Sequence, residues 1–322
     1  MKYLVVGGAG FIGSYCVDML LRNPETKLVR VYDNFSSGKM WHLEHHIGDL
    51  RLEIIAKDIY ESDIFSAAVG VDVAYLFAAN PDIAKAVTEP DIDFKQGTAL
   101  TQMTLEALRK AGCPRLLYAS GSGVYGDTKE LAVSENFSPM EPISTYGASK
   151  LGCEVLISSY CHMFGLKASA FRFGNVVGGR QTHGVAYDFI KRLRINPSYL
   201  NILGDGTQSK PYVFIDDVMD AMALVLDSQN KPFDVFNVAP LDYTNVTEIA
   251  NMVLDQMLIP RSACELKYGG GNRGWKGDVP IVRLNTNKVR SLGWSNKLTS
   301  AGAIERSIEE MLCNSESLYG GS

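Results

Sequence analysis

The chain has 322 residues, enough for two domains or for one large α/β domain carrying a smaller lobe. A hydrophobic fraction of 46% and a charged fraction of 21% are those of an ordinary globular protein with a core of good size. The net charge of −5, with no Lys/Arg-rich run, excludes a nucleic-acid footprint, and no apolar stretch reaches the roughly 20 residues of a membrane span.

The first residues, MKYLVVGG, read as a strand (3–6) entering a turn, without a signal peptide's apolar region and cleavage site. Residues 12–21 have helical apolar spacing, and strands are expected at 28–32, 52–56 and 71–77. A long helix over 91–110 ends at Gly112 and Pro114; strands at 115–119 and 168–173 flank a helix over 146–164. This alternation predicts a Rossmann-type, doubly wound parallel sheet with right-handed crossovers. After Gly174 the segments shorten and gain Gly, Asn and Pro. Helices are expected at 185–195, 217–226, 246–257 and 301–312, and 233–238 again reads as a sheet strand. The expected organisation is a nucleotide-binding domain over 1–174, with returning segments near 211–250, and an interwoven substrate lobe over 175–322. The six cysteines are scattered without a CxxC pair, so reduced thiols in a cytoplasmic protein are expected, and no metal site.

Residues 7–13, GGAGFIG, stand between the first strand and the first helix. Gly7, Gly10 and Gly13 suit the tight turn, the close approach of a pyrophosphate and helix–strand packing; Phe11 and Ile12 open the helix whose free N–H groups face the phosphates. Asp33, 20 residues after Gly13, is placed to accept hydrogen bonds from an adenosine ribose and to repel a 2′-phosphate, which favours NAD over NADP. Asn34 and Ser36 follow in the turn DNFSSG. Asp58 and Ile59 suit the adenine edge, and Ala78 and Ala79 are small enough for backbone to pass close to the cofactor.

Residues 144–150, STYGASK, place Tyr146 and Lys150 at i and i+4, about 6 Å apart on one helix face. A tyrosine is ordinarily a poor base at neutral pH; an adjacent ammonium favours the phenolate, which makes the pair a candidate general base. Alone, YxxxK is a common helical pair. Its meaning comes from the glycine turn and from YASGSGVYG (118–126), where Ser120 and Ser122 follow the fifth strand. No glycine stands two residues before either serine, so there is no G-x-S-x-G elbow of a hydrolase.

GGAGFIG, Asp33, VYG (124–126), YGASK, RFGNVVGGRQ (172–181), LGDGTQSKPYVFIDDV (203–218) and GWKGD (274–278) together resemble the extended short-chain dehydrogenase/reductases of the nucleotide-sugar epimerase and dehydratase group. The resemblance runs over residues 2–313. It implies NAD, a nucleoside-diphosphate sugar, Tyr146 as the base for the sugar 4-hydroxyl, and Lys150 on the nicotinamide ribose. It also implies substrate roles for Asn175, Lys210 (where the family usually has arginine), Tyr212, Arg273 and Lys276, and a homodimer through the 91–110 and Tyr146 helices, with Leu100, Met103, Leu151 and Val155 available. His183, Tyr187 and Tyr243 are candidates for shaping substrate choice. The family's 4-hydroxyl serine or threonine falls at Gly121, so Ser122, or less well Ser120, would stand in, or neither acts and a water fills the gap; alternation along an extended strand does not of itself aim either at the sugar, though the glycines could allow a bulge that re-aims one. Dehydratases carry an acid where this chain has Gly123, and some 3,5-epimerases a cysteine. The implied function is therefore UDP-sugar 4-epimerisation, with C4 dehydrogenation, 4,6-dehydration and a non-catalytic NAD-binding role as alternatives.

Overall fold

The computed structural model describes residues 1–228 and 230–314. In chain order the elements are β1 (Lys2–Val6), α1 (Phe11–Arg22), β2 (Leu28–Asp33), β3 (Leu52–Ala56), α2 (Phe65–Ala68), β4 (Val73–Leu76), α3 (Leu100–Ala111), β5 (Arg115–Ala119), α4 (Thr145–Phe164) and β6 (Lys167–Phe173). Then come β7 (Asn175–Val177), α5 (Val185–Ile195), β8 (Tyr199–Ile202), β9 (Ser209–Lys210), β10 (Tyr212–Phe214), α6 (Ile215–Ser228) and β11 (Phe233–Val238). The chain closes with β12 (Thr244–Asn245), α7 (Val246–Gln256), β13 (Glu265–Tyr268), α8 (Asn287–Ser291) and α9 (Ser300–Cys313).

The chain divides into two compact units. The first comprises Met1–Val124, Thr145–Arg172 and Met219–Phe236. It carries a seven-stranded sheet in the order β11-β6-β5-β4-β1-β2-β3, with β1 to β6 paired in parallel. The fold is the expected Rossmann-type one. β1 and β4 are nearly continuous apolar runs because both faces of the sheet are covered: Leu4, Val5, Ala74, Tyr75 and Leu76 have no solvent exposure. The sequence order reverses between β1 and β4, the switch point at which such sheets bind ligands beyond their strand ends.

One element departs from the expected helix over 91–110. Residues Phe94–Ala99 form a π turn, and regular α-helix begins only at Leu100. The wider turn accompanies a close approach to α4: a Cβ on Gly97 would lie 2.2 Å from the Ser149 hydroxyl, and Thr98 Oγ1 is 3.0 Å from the same oxygen.

The second unit comprises Tyr125–Ser144, Phe173–Val218 and the described residues from Asn237 onward. It contains three two-stranded sheets, β7 with β10, β8 with β13, and β9 with β12. Helices α5, α7 and α9 pack on one another, and α9 packs on β10. Asn245 and Glu248 make a reciprocal capping box that starts α7. Among the described residues no helix is long and apolar enough to cross a membrane.

Candidate functional site

In the first unit, the glycine turn after β1 packs at close quarters against the end of β4 and the start of α1. Gly7 has φ of +80°, and a Cβ there would lie 2.5 Å from the Ala78 amide nitrogen. A Cβ on Gly13 would lie 2.1 Å from the Gly7 carbonyl, so α1 can start tight against the turn only with glycine. Gly10 caps α1 with no side-chain hydrogen bond, and the first turn has no acidic residue; the helix N-terminus keeps its amides and positive dipole available to an anion. Phe11 is buried and Ile12 half-buried.

Asp33 ends β2 and is buried. Its Oδ2 accepts from the Ala9 amide at 2.9 Å and its Oδ1 from the Phe35 amide at 2.8 Å. Burial pushes its pKa up, partly offset by those amides. Asn34 and Ser36 are exposed; Asn34 Nδ2 donates to Asp58 Oδ2 at 2.7 Å, and the Ser36 amide donates to Asn34 Oδ1. The other Asp58 oxygen accepts from the Tyr60 amide, and neighbouring Ile59 is buried. Ala78 and Ala79 are half-buried at the end of β4. A buried carboxylate beside a glycine turn with free helix amides has the donor and acceptor set an NAD adenosine diphosphate requires.

Thr145 opens α4, so Tyr146 and Lys150 stand one turn apart on the same helix. Lys150 is buried, its Nζ donates to the Ala119 carbonyl at 2.7 Å, and it lies 5.5 Å from the Tyr146 ring centre and 5.0 Å from that of Tyr118. The lysine is thus pinned to the last residue of β5. Tyr146 is half-buried.

The two serines differ sharply. β5 stops at Ala119 and Ser122–Tyr125 is a 3₁₀ turn, so the alternation of an extended strand does not govern where these side chains go. Ser120 is buried, and its hydroxyl donates to Glu154 Oε1 at 2.6 Å. Glu154 is itself gripped by the Arg172 guanidinium, at 3.0 Å to Oε1 and 2.6 Å to Oε2, with both side chains buried. Ser122 is half-buried, and its hydroxyl has no hydrogen-bond partner among the described residues. A Cβ on Gly121 would meet nothing within 4 Å.

A polar network beneath the start of α4 was not read from the sequence. Asp93 is buried, accepting from Asn80 Nδ2 at 2.9 Å and from the Thr145 hydroxyl at 2.7 Å; its carbonyl accepts from Ser149 at 2.7 Å. It ties the end of β4 and the π turn to the residues on either side of Tyr146. The only sequence signal was Thr145 beside the tyrosine, since the partners lie 13, 52 and 56 positions away.

In the second unit, Asn175 and Tyr212 are paired across β7 and β10, and Tyr212 is buried, with burial and nearby Asp278 pushing its phenol up. Lys210 Nζ lies 2.7 Å from Asp278 Oδ1. Arg273 binds Asp127 Oδ2 at 2.6 Å and donates to the Asp278 carbonyl, while the Gly274 amide donates to Asp278 Oδ2 at 3.0 Å. Asp278 thus gathers two of the cations expected to meet a diphosphate; it stood in GWKGD without an assigned role. Lys276 and His183 are exposed. Tyr187 is buried within α5, and Tyr243 lies under the Arg283 guanidinium, which is 3.8 Å from its ring centre.

Residues 3–239 match the profile of the NAD dependent epimerase/dehydratase family. The chain is 30% identical over 316 residues to a putative UDP-glucose 4-epimerase of Methanocaldococcus jannaschii, covering 97% of this chain and 98% of that protein. A crystal structure of a UDP-galactose 4-epimerase superposes with a TM-score of 0.85 at 34% identity, over 97% of this chain and 99% of the other. The dTDP-glucose 4,6-dehydratase of Streptomyces venezuelae, solved with NAD, superposes with a TM-score of 0.88 at 26% identity, over 98% of both chains.

Proposed function

The chain belongs to the NAD-dependent epimerase/dehydratase family, and from that premise we propose that it is a UDP-sugar 4-epimerase working through a transient 4-keto sugar. NAD, when bound, supplies the two-electron redox partner for C4. Tyr146 takes the proton of the sugar 4-hydroxyl and later returns it to the same oxygen. Lys150, fixed by the Ala119 carbonyl, presents its charge to the tyrosine and to the nicotinamide ribose. Ser122 supplies the hydroxyl that steadies the 4-oxygen, because Ser120 is already committed to Glu154. Asn175, Lys210, Tyr212, Arg273 and Lys276 hold the nucleoside diphosphate. UDP is favoured because UDP-sugars are named for the epimerase relatives.

The observation that carries 4-epimerisation over dehydration is Gly123. Elimination across C5–C6 needs a base beside the ketone, and a residue without a side chain supplies none. The dehydratase superposes as well as the epimerase does, so the fold leaves this choice to the site. We also propose a cytoplasmic homodimer through α3 and α4, where Val155 is 62% exposed and Leu100 and Met103 are half-buried.

Tyr146→Phe tests the reading. It should keep NAD bound and lose turnover by about 10²–10⁴-fold. Near-normal turnover of UDP-galactose by this variant would remove Tyr146 as the base.

A further inference from the structure

Asp18 lies in α1, its carboxylate buried, and the segment after β2 brings two consecutive histidines to it. Met40–His42 and Glu44–His46 form two short 3₁₀ turns. His45 Nε2 and His46 Nε2 stand 2.9 Å and 2.8 Å from one oxygen, Asp18 Oδ1. The two rings are 4.0 Å apart at their centres and tilted by 43°. Consecutive side chains on a 3₁₀ turn point about 120° apart, so two neighbouring imidazoles converging on one oxygen is a specific arrangement of the turn. Arg22 approaches only the other oxygen, Oδ2, at 4.0 Å, from an exposed position.

We propose that Asp18, His45 and His46 form a binding site for a divalent transition ion of the zinc type. All three donor atoms lie within 4.8 Å of one another. Two imidazole nitrogens and one carboxylate oxygen are ligands zinc takes, at about 2.0–2.2 Å, whereas magnesium and calcium prefer oxygen alone. Around a tetrahedral ion such ligands stand about 3.3–3.4 Å apart, so each imidazole has to withdraw from Oδ1 by about half an ångström. His45, 45% exposed at its side chain, can make that movement and leaves a face open for water as the fourth ligand. Binding turns each Nε2 from an N–H donor into a lone-pair donor, the proton of the neutral ring passing to Nδ1.

The site has a consequence for the cofactor cradle. His42, on the same pair of turns, donates from Nδ1 to the Ala9 carbonyl at 2.6 Å, and the Lys39 amide donates to the same oxygen at 2.9 Å. An ion clamping His45 and His46 to α1 would hold His42, and through it the glycine turn, in place. Bound metal should therefore slow the loss of NAD.

The test uses the full chain, stripped with chelator and titrated with zinc chloride by calorimetry, then with cobalt(II) for the visible spectrum of a tetrahedral site. One ion per chain is expected, with affinity lowered at least tenfold in His45→Ala and in His46→Ala. Each variant's melting midpoint without metal is measured alongside, and His45→Ala, altering an exposed ring, serves if His46→Ala, altering a half-buried one, unfolds the protein. Absence of one-to-one binding, or binding unchanged in both histidine variants, overturns the site and leaves an ordinary histidine–aspartate hydrogen-bond cluster. NAD retained after dilution should rise with zinc in the unaltered protein and not in His45→Ala; equal retention with and without zinc overturns the clamp.

Discussion

Alanine at Ser120 and alanine at Ser122 should separate stability from turnover, although the two residues are neighbours but one. Ser120 donates a 2.6 Å hydrogen bond to a buried carboxylate that Arg172 already holds at two points. Removing that hydroxyl leaves Glu154 with both guanidinium contacts, so the loss falls near the lower end of a charged hydrogen bond, about 1.5 kcal/mol. The loss should appear as a lower urea midpoint, with kcat nearly unchanged under conditions where the protein is folded. Glu154→Ala marks the upper bound for this anchor, because it takes the carboxylate away from a buried guanidinium, and should cost about 3–5 kcal/mol. Ser122 has no such partner among the described residues, so Ser122→Ala should leave the midpoint alone and lower kcat by about 10²-fold. The assay is urea unfolding paired with steady-state kinetics on UDP-galactose. Ser120→Ala with a normal midpoint and a large loss of kcat would refute the assignment and make Ser120 the acting hydroxyl.

Gly121→Ser should fold normally and raise kcat, because an added Cβ meets nothing within 4 Å and restores a hydroxyl at the family's usual position; a fall in kcat would show that Ser122 alone fits the site. NAD retention should weaken on acidification, since the carboxylate form of Asp33 accepts from the amides and is the form the proposed ribose contact needs. Because burial raises its pKa, the loss should begin at a higher pH than for an ordinary aspartate; Asp33→Asn should abolish that pH dependence, and its persistence would assign it elsewhere. Asp93→Ala should lower kcat more than it changes KM, by releasing Thr145 and Ser149 on either side of Tyr146; a pure stability loss would confine the network to folding.

The sheet was legible because its central strands β1 and β4 are nearly continuous apolar runs and its other strands are short and β-rich: β3, β5 and β11 occupy the expected positions, and α5 does too. Strands of two to four residues in the second unit, such as β9 and β12, carry no periodicity and are defined only by their partners. The π turn at Phe94–Ala99 was invisible, because its apolar spacing passes for a helix and its companion is the distant Ser149. In the site, the glycine turn and the Tyr146–Lys150 pair could be read because local geometry brings those residues together. The Ser120–Glu154–Arg172 anchor, the Asp93 network and the Asp18–His45–His46 cluster could not, because each assembles residues from separate elements. Strand alternation failed at the serines for a simple reason: the strand ends at Ala119, one residue too early for that rule to apply.

The central claim is tested most directly by incubating the purified protein, without added reductant, with UDP-glucose, UDP-galactose and their N-acetylamino counterparts, and following the anomeric protons by NMR. The account predicts a C4 epimer of at least one of these sugars, accumulating over many turnovers. A keto sugar formed one-to-one with bound NADH, or a 4-keto-6-deoxy product, would contradict it and assign the chain to C4 dehydrogenation or to dehydration.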